Sequence, residues 1–260
     1  MRRRGSEYLR AVTSATVVPP TLQEERVARI AMAAVGLGTA ALLTACGGGD
    51  DFTDQSADDI VSAAKSEMGD LKAVKVSGSV TSDGQQIDID LQSSSEGSCT
   101  GTIGVAGGTT ELLGVDGSTW MKPDEAFWRA TAGDAADSVI TAVGDKWVVI
   151  PAEDDSFNTF CDLDDLLDQL LKDDEEDGST YSKNGTEDVD GETAVKVDNE
   201  DPEDGTSTGY VLVDEPHYLV KIEKTDGADT GNITFSEFDE EFDVEAPGAD
   251  EVVDLDQLGA

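Results

Sequence analysis

Val74-Lys75-Val76-Ser77-Gly78-Ser79-Val80 and, after Asp83-Gly84, Ile87-Asp88-Ile89-Asp90-Leu91-Gln92 alternate apolar with polar or small residues. Successive side chains of a strand point to opposite faces, so a period of two gives each run one dry and one wet face. That is the signature of antiparallel strands with one face on a core, and Asp-Gly between them is a two-residue hairpin signal. The pattern repeats toward the C-terminus. Gly97-Ser98 precedes a run from Cys99 to Val105, Gly107-Gly108 leads into Thr109 to Val115, and Asp116-Gly117 turns into Ser118-Thr119-Trp120-Met121-Lys122. A meander of about five strands is predicted.

On the N-terminal side the period changes to 3.6. Ser56 has the chemistry of an N-cap, with Asp58 and Asp59 in the first turn where the helix dipole favours negative charge. Ala57, Ile60, Val61, Ala64 and Met68 then form one apolar stripe, ending near Gly69. Beyond the meander, Pro123-Asp124 opens an irregular or helical stretch containing Phe127 and Trp128. Residues 131–144 offer Val139, Ile140 and Val143 for burial, and Lys146 to Pro151 returns to strand. Phe157, Phe160, Leu163, Leu166, Leu167, Leu170 and Leu171 predict a second amphipathic helix beginning near Ser156 or Asp162. Lys172 to Gly178 is an acidic, solvated connector.

Further strands are expected at Thr180–Asn184, Thr193–Asp198, Ser207–Val213, Tyr218–Lys224 and Ile233–Phe238, punctuated by Asp190-Gly191, Asp204-Gly205 and Asp226-Gly227. Val252, Val253 and Leu255 suggest a short amphipathic turn in the tail. The sum is an α+β chain of about ten or eleven antiparallel strands and two or three helices.

Upstream of this region, Leu43-Thr44-Ala45-Cys46 resembles a bacterial lipobox, an aliphatic residue and two small ones before a cysteine. The resemblance implies that Cys46 is diacylated and becomes the mature N-terminus. The surrounding residues agree with it. Arg26 and Arg29 precede an apolar run from Ile30 to Leu43, too short to cross a hydrocarbon core of roughly 30 Å as a helix. Residues 1–45 are therefore read as a signal peptide, anchoring the protein on the extracytoplasmic face of the cell membrane. Val17-Val18-Pro19-Pro20 fits no part of such a peptide, and a true translation start near Val27 accounts for it. Residues 46–55, rich in Gly and Asp, are read as a flexible tether, and residues 56–260 as a single domain.

The chain carries 57 Asp+Glu against 17 Lys+Arg, a formal net charge of −40. Such a surface repels nucleic acid and anionic head groups, so nucleic-acid binding is excluded as a function class. Adaptation to high salt is an alternative origin of the acidity. With Cys46 assigned to lipid, Cys99 and Cys161 remain as an even pair in an oxidising compartment. A disulfide closing about sixty residues would contribute roughly 4 kcal/mol in the chain-entropy model. The competing metal reading has two thiols and a single histidine, His217, which is short of a usual ligand set.

No catalytic constellation emerges. There is no Gly-x-Ser-x-Gly elbow and no phosphate-cradling glycine loop with lysine, and His217 after Pro216 reads as a turn residue. Asp188-Val189-Asp190-Gly191-Glu192 has acidic ligands but not the EF-hand spacing. An enzyme is not expected, and no cofactor or metal is called for.

The order of parts is similar to that of the actinobacterial LppX/LprA/LprF/LprG-type lipoproteins of the LolA/LolB-like superfamily. The helix from Ser56, the Val74–Val80 strand, Trp120-Met121-Lys122 with Phe127-Trp128, Asp145-Lys146-Trp147-Val148, and Ile233 to Phe238 before Ala246-Pro247 carry the resemblance. It implies a strongly curved antiparallel sheet, a half barrel, with helices across its concave side and an apolar cavity for acyl chains or a lipoglycan-like ligand. Residues expected to line or rim such a cavity are Val74, Val76, Ile87, Ile89, Leu91, Trp120, Trp128, Trp147, Leu167 and Leu170. A core filled by the same residues is the competing reading. So, for function, are an envelope sensor that binds a protein partner and an acidic cation-binding surface protein. A monomer is expected.

Overall fold

The computed structural model describes residues 52–82, 84–152, 155–171, 179–202, 205–227 and 230–255. The segment read as a signal peptide, Cys46, Asp83, the Lys172–Gly178 connector, Asp204 and the end of the tail lie outside these residues. Twelve strands form one sheet: β1 (Ala73–Ser82), β2 (Gln85–Ser94), β3 (Cys99–Val105), β4 (Gly108–Val115), β5 (Ser118–Pro123), β6 (Trp147–Ile150), β7 (Thr180–Val189), β8 (Glu192–Asp201), β9 (Gly205–Leu212), β10 (Leu219–Lys224), β11 (Thr230–Ser236) and β12 (Val252–Val253). The spatial order is β12-β6-β5-β4-β3-β2-β1-β11-β10-β9-β8-β7. Among the described residues only the β12–β6 pair is parallel. The sheet is open, an α+β half barrel with β7 and β12 at its edges.

Two meanders, β1–β6 and β7–β11, are thus joined along one seam. There β1 runs antiparallel to β11 from Lys75↔Ser236 to Thr81↔Thr230. Gly78 and Gly231 sit in this seam, both with φ of +153°. A Cβ on Gly78 would strike the carbonyl oxygen of Asn232, and one on Gly231 would strike that of Ser79. Only glycine allows this backbone and this close approach.

The helices are α1 (Ala57–Gly69), α2 (Glu125–Thr131), α3 (Ala136–Val143), the single turn α4 (Asp155–Asn158) and α5 (Leu163–Leu171). Ser56 caps α1 as expected, its Oγ accepting from Asp59 N–H at 3.1 Å. Asp124 does the same for α2. Ile60, Ala64 and Met68 of α1 and Leu163, Leu166 and Leu167 of α5 are buried on the concave face of the sheet, against Val74, Val76, Leu91, Val197, Ile233 and Phe235. Burial of such side chains stabilises by roughly 1.5–3 kcal/mol each, which is why the stripe of each helix faces inward. None of the described helices is long and apolar enough to cross a membrane.

Cys99 and Cys161 form a disulfide, with Cα atoms 4.9 Å apart. It ties β3 to the 3-10 turn Thr159–Cys161 at the head of α5. Gly114 makes room for it, since a Cβ there would lie 2.8 Å from Cys161 Sγ and 2.9 Å from Cys99 Sγ.

Three differences from the sequence-based expectation have simple causes. Residues 52–54, expected in the tether, form a 3-10 turn, and Phe52 is buried with its ring stacked 3.7 Å from His217. A single aromatic side chain that finds a partner overrides the polar composition around it. Val252 and Val253, expected in a helical turn, extend the sheet instead, because β6 leaves an unpaired edge that they cover. Residues 125–131 and 136–143 complete short helices, so the helices outnumber the two or three expected.

On the convex face of the second meander, Tyr210 Oη donates to Glu223 Oε2 at 2.9 Å, and Lys221 Nζ lies 4.8 Å over the tyrosine ring. Burial, then the Glu223 carboxylate, pushes the phenol up to about 12 from its usual 10.0. The Lys221 ammonium, donating to the same carboxylate, holds Glu223 below the usual range.

Gly231→Ala and Gly78→Ala should each destabilise the fold by about 1–3 kcal/mol, the cost of forcing a side chain into this backbone region. Gly69→Ala, with open space around it, should not; denaturant melts of the three variants provide the check. Tyr210 predicts an alkaline dependence. Below pH ~10 the phenol is protonated in both states and its contribution is complete. Between about 10 and 12 only the folded chain keeps the proton, so stability falls as pH rises through the folded value. The stability difference between wild type and Tyr210→Phe should narrow across that window.

Candidate functional site

An apolar cavity of about 350 Å³ lies between the helices and the second meander. Its roof is the stripe of α1, Val61, Ala64 and Met68, with Leu170 and Leu171 at the end of α5. Its floor comes from the concave face of β8–β11. The reason for the void is local. The floor position between Val197 and Ile222 is Gly209, which leaves out a side chain that would fill the space, and the one beside Val80 is Gly231, where the close approach of β1 admits no side chain.

The register orders this floor into rows. Val197, Gly209, Ile222 and Ile233 are mutually paired across β8, β9, β10 and β11. One step along, about 7 Å away on the same face, Asn199, Ser207, Lys224 and Gly231 are paired in the same way. The first row is apolar and the second carries an amide, a hydroxyl and an ammonium. Lys65 of α1 is a second cation in the lining, and among the described residues no Asp or Glu contributes to it. Among the described residues, the Oδ1 of Asn199 is buried without a hydrogen-bond partner.

Of the residues expected at such a cavity, the structure brings Leu170 into its lining. Val74, Val76, Leu91 and Leu167 are buried in the packed core next to it. Ile87 and Ile89 are half-buried on the same concave face, packed against that core. Trp128 is buried in a separate cluster with Val143 and Val148, under α2 and α3. Trp120 and Trp147 are placed on the convex side. Thr119 pairs with Gly114, which abuts the disulfide, and with buried Ile150, so Trp120 one residue later faces away. Lys122 Nζ lies 5.8 Å over the Trp147 ring on that outer face. Strand parity is what separates these two tryptophans from the cavity.

Sequence reasoning missed the floor residues Val197, Gly209, Ile222 and Gly231. The available signal was the glycine inside each of two strands, which marks a place of close approach or missing side chain. His217 stacks on Phe52, and its Nδ1 lies 3.1 Å from the Leu212 carbonyl oxygen, to which it donates. Among the described residues no group of three His, Cys, Asp or Glu side chains is placed to hold a metal ion.

No family model matches the chain, and no curated protein sequence does. Solved structures are similar to it. LprF from Mycobacterium bovis is 16% identical, with a TM-score of 0.52, over 74% of this chain and 97% of that one. The lipoprotein LppX from Mycobacterium tuberculosis is 16% identical, with a TM-score of 0.46, over 73% of this chain and 100% of that one. At these identities the likeness speaks for architecture alone, and LprF carries it: the chain has an LprF-like fold.

Proposed function

We propose that this protein is a non-enzymatic lipoprotein of the cell envelope that takes up a lipid or other apolar ligand in the cavity under α1 and α5. The observation that carries the reading is the cavity itself, an apolar space of about 350 Å³ within the roughly 300–1,000 Å³ range of ligand sites. An acyl chain leaving water for such a space is favoured by about 0.8 kcal/mol per methylene. Sequestration by burial needs no reacting group. The LprF-type fold supports the reading, because a bent open sheet roofed by helices is an architecture that leaves such a space.

Cys46, as the acylated N-terminus, would hold the domain at the outer face of the membrane, with the acidic surface keeping it off anionic head groups. A diacylated cysteine supplies the two chains that stable anchoring requires.

Protein purified from membranes should yield a stoichiometric apolar compound on organic extraction. Ile222→Trp, which places an indole in the cavity, should reduce that yield several-fold while the melting temperature changes little. Wild-type protein free of any extractable ligand, and unable to take up a fluorescent fatty acid, would falsify the reading. Separately, intact-mass measurement should show a chain beginning at Cys46 with a diacylglyceryl increment. Cys46→Ala should abolish the increment and move the protein out of the membrane fraction.

A further inference from the structure

The cavity has two chemically different ends. In a protein with 57 acidic and 17 basic residues, the charged side chains that line it among the described residues are Lys65 and Lys224. Lys224 is placed by register. It ends β10, directly beside Ser207 of β9 and Gly231 of β11, and Ser207 is in turn paired with Asn199 of β8. This polar row borders the apolar row Val197, Gly209, Ile222 and Ile233. A second observation points the same way. The buried Oδ1 of Asn199 has no hydrogen-bond partner among the described residues, and leaving such an atom unsatisfied costs about 1–3 kcal/mol. A ligand donor at this end would satisfy the oxygen, whereas a carboxylate head would be met by the flipped amide, with Nδ2 donating. The amide can present either its oxygen or its nitrogen, since the two are exchanged by a simple flip.

Building on the cavity reading above, we propose that the ligand is a single-chain amphiphile with an anionic head, such as a long-chain carboxylate. Its chain lies along Val197, Ile222 and Ile233, and its head meets Asn199, Ser207 and Lys224, with Lys65 as the second cation. The volume, about 350 Å³, is at the lower end for ligand sites and suits one chain rather than several. Both lysines also take part in other interactions. An ammonium has three donors, so a protein partner does not exhaust it. At physiological ionic strength the screening length is about 8 Å, so distant surface carboxylates are screened. Asp201 and Asp226 stand one register step beyond the polar row, about 7 Å along the strands, so the two lysines in the lining are the nearer charges to the head.

The test compares three probes of equal chain length, dodecanoate, dodecanol and dodecyltrimethylammonium, by calorimetric titration at neutral pH and physiological salt. Dodecanoate should bind about ten-fold more tightly than dodecanol, the gain from one charge-assisted hydrogen bond, and the cationic probe should bind most weakly. Lys224→Ala should remove most of the preference for dodecanoate over dodecanol, Lys65→Ala should reduce it, and Lys224→Arg should restore it. Equal affinity for all three probes, with binding intact, overturns the anionic-head inference and leaves the cavity reading standing. A preference that survives in the Lys65→Ala/Lys224→Ala double variant overturns the placement of the head. Binding of none of the probes by the folded wild type removes the cavity reading along with this one.

Discussion

The β1–β11 seam is the constraint on which the rest of the structure depends. It joins two meanders whose own hairpins are local and need little loop closure, whereas this pairing brings Lys75 beside Ser236 across most of the chain. Loop-closure entropy opposes such a contact. What offsets it is the core the seam completes: α1 and α5 bury their stripes against strands from both meanders. The two glycines in the seam let the backbones approach where a Cβ would collide with the facing carbonyl. Sheet continuity, helix docking and the cavity floor all run through these few residues.

The cavity follows from an imbalance in the packing. Near the first meander the concave face carries Val74, Val76, Leu91, Ile103 and Leu112, and these fill the space below the helices. Near the second meander Gly209 and Gly231 interrupt the floor, and Ala64 thins the roof above it. The disulfide between Cys99 and Cys161 fixes the head of α5 on the filled side, so the end of the helix, Leu170 and Leu171, is left over the void. Among the described residues no carboxylate lines it, so a chain this rich in acidic groups still keeps an apolar interior.

Much of the fold was legible in the residues. The strand runs around Val76 and Ile89, the Ser56-capped helix, the leucine-rich helix after Cys161 and the Asp-Gly turns all follow from local periodicity and capping chemistry. The missed features were of a different kind. The interior Gly231 sits inside β11, upstream of the run from Ile233 that the alternation marks, because glycine gives no periodic signal and its role is set by the facing strand. The location of the void was missed for a related reason. Apolar residues that fill a core and those that line a cavity have the same composition, and Val76 differs from Val197 only in what stands opposite.

The tryptophans show the limit most clearly. Their size invites assignment to a ligand site, yet Trp120 and Trp147 face outward and Trp128 belongs to a small cluster under two short helices. What the chain determined by itself were the elements: where strands alternate, where helices start, which two thiols are available to each other, and that the surface is strongly acidic. Which face of the sheet is concave, which strands meet at the seam, and which end of the sheet is left unfilled were decided only by tertiary packing. Those outcomes depend on contacts between residues distant in sequence, and no local pattern carries that information.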